Sequence, residues 1–178
     1  SVKSAELAYE TAKIATEQAR TTLENREKLA VQSSQDTLTN ADLTASSVVS
    51  TAGAVMTNIN NVTSFDDDNK VSISYRQNLG ALDANSYDNA KQAYQRASEI
   101  YKNYSGKKFN SISERVVGAL EVANAVKDLC DQTKNLFDKS ISSASLPQTS
   151  LSGTSLSGLQ TAVAGYQSQM NAAVNQLN

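Results

Sequence analysis

The chain has 178 residues, with 16 Lys and Arg against 18 Asp and Glu, one cysteine and no histidine. A net charge of −2 supplies no basic field to gather nucleic acid or an anionic membrane surface. The absence of histidine removes the commonest general base, the commonest metal ligand and the usual serine and cysteine triads.

One proline and seven glycines punctuate the chain, and between them small and apolar residues recur at helical spacing. The first helix is expected from about Val2 to Asn60. Ala5, Ala8, Ala12, Ala15 and Ala19 follow one another at steps of 3 and 4. Small residues at both seam positions let a partner helix approach closely, so residues 1–32 are expected to form a coiled-coil stem. Leu38, Ala41, Ala45, Val48, Ala52, Val55, Ile59 and Val62 carry the rhythm on. Between the two seams, in ENREKLAVQSSQDTLTN (24–40), the phase slips and polar residues take over, which predicts a break near Ser33 to Thr39.

NVTSFDDDNKVSISYRQNLGALDANS (61–86) loses the rhythm and reads as a long connector. Asp83 or Ser86 is placed to cap the helix after it. That second helix, about 84–104, spaces Tyr87, Tyr94 and Tyr101 seven residues apart, with Tyr104 behind them. Ala90 and Ala97 fill the intervening positions of the same stripe, while Lys91, Gln95, Arg96 and Glu99 fall elsewhere. The stripe therefore predicts a packing seam with Tyr94 buried between helices, rather than a surface ladder that grips a ligand. SGKK (105–108) ends the helix.

A third helix, about 109–143, repeats the seam through Ile112, Val116, Ala119, Ala123, Val126, Cys130, Thr133 and Phe137. SASLPQTSLSGTS, with Pro147 and Gly153, is the next loop. The last helix, about 154–177, carries Leu156, Leu159, Val163, Tyr166, Met170, Ala173 and Leu177. The fold expected is all-α: one helical domain over 1–178, an elongated antiparallel bundle of four or five helices (33–178) beyond the stem.

Chemistry is sparse in this pattern, and no catalytic, cofactor or metal residue is assigned. Glu6, Glu10, Glu17, Glu24 and Glu27 lie beside Lys13, Arg20 and Lys28 on a polar helix face. FDDDNK (65–70) clusters oxygens that a hard cation favours, but Lys70 and Val71 stand where a calcium loop needs ligands, so a solvated loop is expected. Cys130 sits on the apolar seam as a small buried hydrophobe. Asn61-Val62-Thr63 and Asn103-Tyr104-Ser105 match the glycosylation sequon, as chance matches do in an asparagine-rich chain. Ser, Thr, Asn and Gln total 66 residues, a polar, uncharged surface more like that of exported bacterial helical proteins than of charge-rich cytosolic coiled coils. No run of about 18 apolar residues is present to span a membrane. The opening SVKSAELAYE has no signal-peptide pattern and is read as the start of an excised domain.

AELAYETAKIATEQARTTLENREKLA (5–30), NSYDNAKQAYQRASEIYKNY (85–104) and TSLSGLQTAVAGYQSQMNAAVNQLN (154–178) resemble the helical hairpin region of periplasmic adaptor subunits, or membrane fusion proteins. The chain lacks the flanking β half-motifs of that family and the Arg-Leu-Thr signature of some hairpin tips. The resemblance implies a non-catalytic interaction and spacer module in the cell envelope. Its implied partners are proteins: other adaptor protomers, making a homo-oligomer of the full-length protein, and an envelope channel or transporter. Two other classes fit the same residues. One is an extracytoplasmic sensor or solute-binding four-helix bundle whose pocket is built by the connector at 61–86; the other is a surface adhesin or secretion-system tip protein.

Overall fold

The computed structural model describes residues 1–67, 70, 73–142 and 153–178. It contains five helices, α1 (Val2–Thr63), α2 (Ile73–Asn78), α3 (Ala84–Gly106), α4 (Ile112–Asp138) and α5 (Gly153–Leu177), and no strand among the described residues. The chain separates into two compact units, Ser1–Asn40 and Ala41–Asn178.

The break expected near Ser33 to Thr39 is absent, since α1 runs through it. Loss of an apolar seam removes a reason to pack, not a reason to be helical. The stretch holds no glycine or proline, and Thr37 and Thr39 donate their hydroxyls to the carbonyls of Ser33 and Gln35 at 2.9 Å, inside the helical ladder. The first unit is this helix alone. Every residue from Ser1 to Asn40 is exposed, the alanine seam included. The pairing expected of a coiled-coil stem is therefore not made within the described residues.

The second unit is a helical bundle. Ala45, Val48, Ala52, Val55 and Ile59 of α1 share one core with Ala90 and Ala97 of α3, five seam residues of α4 (Ala119, Ala123, Val126, Cys130 and Phe137), and Val163, Met170 and Ala173 of α5. Phe137, Leu129 and Ile59 are fully buried, each contributing about 1.5–3 kcal/mol relative to exposure. Antiparallel packing of α5 on α4 is fixed by Gln160 on Asp138 (3.2 Å) and Gln167 on Asp131 (2.7 Å).

Caps set the helix starts. Asp83 accepts the amide of Asn85 at 3.1 Å before α3. Ser111 accepts the amide of Glu114, while Glu114 accepts that of Asn110, which opens α4 three residues later than its apolar spacing suggested. Part of the expected connector is helical. It holds α2, and Gly80, in the left-handed region at φ 68°, turns the chain back. The turn is tied to the end of α4 by Gly80 N–H to Ser140 Oγ (3.0 Å), Leu82 N–H to Lys139 O (2.9 Å) and Ile141 N–H to Asn78 O (3.1 Å). The proline loop expected after α4 lies outside the described residues up to Gly153.

Candidate functional site

Two surfaces carry the functional question: the exposed helix of the first unit and the tyrosine face of the second. At about 100° per residue, the first divides sharply. Between Ser4 and Ala30 one side holds the alanine seam, Leu7, Thr11, Ile14, Gln18, Leu23 and Leu29, with Arg26 as its one charge. The other side holds the remaining charges, Glu24 accepting from Arg20 at 3.1 Å among them. Leu7, Ile14, Leu23 and Leu29 are each more than half exposed, so apolar area that a folded chain normally covers faces water.

In the second unit the tyrosine stripe does not behave uniformly. Tyr87 is 7% exposed and packs edge-on to Phe65, their ring centres 5.6 Å apart. Ala90 and Ala97 are fully buried, as a packing seam requires. Tyr94 is partly covered and packs against the core, as the seam expects, with some of its surface left to solvent. Its ring leans on Phe65 at 5.8 Å, and burial, then the nearby Asp66 charge, raises its pKa. Tyr101 is half-buried as well, and crosses α1 at Gly53. A β-carbon there would stand 2.8 Å from its hydroxyl and 3.1 Å from two ring carbons.

Two hollows share the Tyr94 ring. One, of about 480 Å³, lies between Ser50, Gly53, Thr57 and Asn58 of α1 and Tyr94 and Tyr101 of α3. The other, of about 600 Å³, runs from Phe65 and Asp66 past Tyr94 to Ser98, Lys102 and Asn103. Neither tyrosine hydroxyl has a hydrogen-bond partner among the described residues, whereas Tyr75 donates to Val62 O at 2.7 Å.

Asp66 accepts from Lys70 at 2.8 Å, and that bond, reinforced by Asn60, lowers its pKa; Asp68 lies outside the described residues. No group of three metal-binding side chains gathers among the described residues. Cys130 is buried in the core, and desolvation pushes its thiol up to about 12, far from a nucleophile's range. No helix is long and apolar enough to cross a membrane among the described residues.

Sequence spacing gave no notice of two contacts. Arg115 bridges Asp42 (2.7 Å) and Ser46 (2.9 Å), tying α4 to α1, and Gly53 seats Tyr101. A glycine within a helical seam is the one local sign of the second, because it marks close approach. Comparison of the chain with known protein families, curated proteins and solved structures finds no match.

Proposed function

We propose that the chain is a non-catalytic protein–protein interaction and spacer module, with residues 1–40 as its contact element and the adaptor subunits of envelope transport assemblies as its class. The observation that carries this reading is the side of a fully exposed helix, between Ser4 and Ala30, that gathers the alanine seam and exposed leucines with a single charge, Arg26. Small residues in its centre suit close approach of another helix, and Leu7, Ile14 and Leu29 at its edge supply area to bury. A photo-crosslinking residue at position 12, on the seam, tests it against one at position 17, on the charged side, in the native cell. The reading expects position 12 to capture an adaptor copy or a transport channel and position 17 to capture neither. Equal capture at both, or capture at neither, refutes it.

A second reading, a solute-binding bundle, is favoured by a different observation. Phe65 and Asp66, at the start of the connector, line a hollow together with Tyr94.

A further inference from the structure

We propose that the hollows on either side of Tyr94 form one groove for a neutral saccharide chain built of equatorially substituted pyranose rings. This deepens the solute-binding reading and is independent of residues 1–40, so a failed crosslink there and a failed titration here are separate outcomes.

Aromatic rings set the geometry. Tyr94 and Tyr101 are two turns apart on α3, about 10.5 Å along the axis at 1.5 Å per residue, the span of about two sugar rings. Both are half-buried, packed against the core on one part and lining the hollow between α1 and α3 with another. Phe65 supports Tyr94, and the missing side chain at Gly53 lets Tyr101 lie against α1. A pyranose with equatorial substituents presents C–H groups on its faces and hydroxyls around its edge. Rigid aromatic platforms match the faces, with little side-chain entropy left to lose.

The polar groups match the edge. Ser50 and Asn58 stand along α1, Ser98 and Asn103 along α3, and neither tyrosine hydroxyl has a hydrogen-bond partner among the described residues. Amides and hydroxyls both donate and accept, which suits a ligand made of hydroxyls. Charge argues for a neutral ligand. Asp66 is already engaged by Lys70, and Lys102 is offset by Glu99 on the same rim. Among the described residues no cationic cluster lines the two hollows to hold a phosphate or a nucleic acid, and the apolar area is broken by too many amides for a lipid chain.

Protein carrying labelled tyrosine rings, titrated with cellohexaose and chitohexaose up to about 1 mM, the weak end of specific binding, tests the groove. At least one saccharide is expected to shift Tyr94 and Tyr101 saturably, to leave buried Tyr87 unmoved, and to bind equally at low and high salt. Tyr101→Ala should weaken binding about tenfold, the scale of losing one stacking platform. Gly53→Ala, which pushes the ring off its seat, should weaken it in the same direction and serves if Tyr101→Ala does not fold. Tyr9→Ala, outside the unit, should change nothing. Failure of both saccharides to saturate overturns the proposal, as does an affinity that neither groove variant changes. Saturation only by a short uncharged peptide of Ser, Asn and Gly overturns the saccharide assignment and makes the groove a peptide site.

Discussion

Replacing Gly53 by alanine sets two opposing effects of similar size against each other. Inside a helix the change should stabilise by about 0.5–1 kcal/mol, because glycine loses more backbone freedom on folding. The new methyl carbon falls 2.8 Å from the Tyr101 hydroxyl and 3.1 Å from two ring carbons, all inside van der Waals contact. The ring is the far end of a flexible side chain, so it swings away and loses its bed on α1. A fully buried aromatic contributes about 1.5–3 kcal/mol. Tyr101 is half-buried, so losing its seat costs about 1 kcal/mol. Gly53→Ala alone should therefore lie within about 0.5 kcal/mol of the parent. In a Tyr101→Ala background nothing opposes the methyl group, and the full gain of about 1 kcal/mol should appear, a coupling of about 1 kcal/mol between the two positions. Urea unfolding of the four proteins, followed by far-ultraviolet circular dichroism, measures it. Equal stabilisation by Gly53→Ala in both backgrounds would show that the ring does not lie on Gly53, and would remove the platform on which the saccharide groove depends.

Gly80→Ala should cost about 1–2 kcal/mol, since a β-carbon at φ 68° is strained and would stand 2.5 Å from Ser86 Oγ; an unchanged melting temperature would place the turn in another conformation. Cys130 gives a pH dependence. Its thiol is pushed up to about 12 in the folded chain against about 8.5 when unfolded, so the folded state holds the proton more tightly. That contribution is complete below about pH 8.5 and is lost as the pH rises towards the folded value. The stability difference between the parent and Cys130→Ala should therefore shrink between about pH 9 and 11, and a constant difference contradicts the buried thiol. Hydrogen exchange at low micromolar concentration should find the amides of residues 5–35 nearly unprotected while those of Val126 and Leu129 open only with global unfolding; equal protection would mean that residues 5–35 are packed in the isolated chain.

The second unit was legible in the sequence because its seams are long and its spacing is that of one helix face. Ala45, Val48, Ala52, Val55 and Ile59 are all buried, and so are the six α4 seam residues from Ala119 to Phe137. Burial fades at the ends, where Ile112, Val116, Leu156 and Leu177 are only partly covered, because a terminal turn has neighbours on one side only. Tyr94 packs on the core less completely than Tyr87, for a physical reason that spacing cannot carry. Tyr87, one repeat earlier, has Phe65 and the Arg76 guanidinium of α2 against it, while Tyr94 has Phe65 on one side and open hollows beside it. The contacts of Arg115 with Asp42 and of Tyr101 with Gly53 join α1 to residues 73 and 48 positions away, a pairing that no local pattern encodes.

Residues 1–40 mark where periodicity stops being a guide to packing. The same 3 and 4 spacing that is buried from Ala45 to Ile59 is exposed from Ala5 to Ala19, so the pattern states what a face can bury and not that this chain supplies the other half. Isolated helices in water gain one weak bond per residue against a costly nucleus, and most helical stability in proteins comes from packing an apolar side. The first unit has such a side, and no described residue packs on it. Its charges include the i,i+4 pair of Arg20 with Glu24, worth only a few tenths of a kcal/mol. That pair lies on the side opposite the alanines. A partner helix docking on the seam would therefore leave that pair intact while covering Ala5 to Ala19.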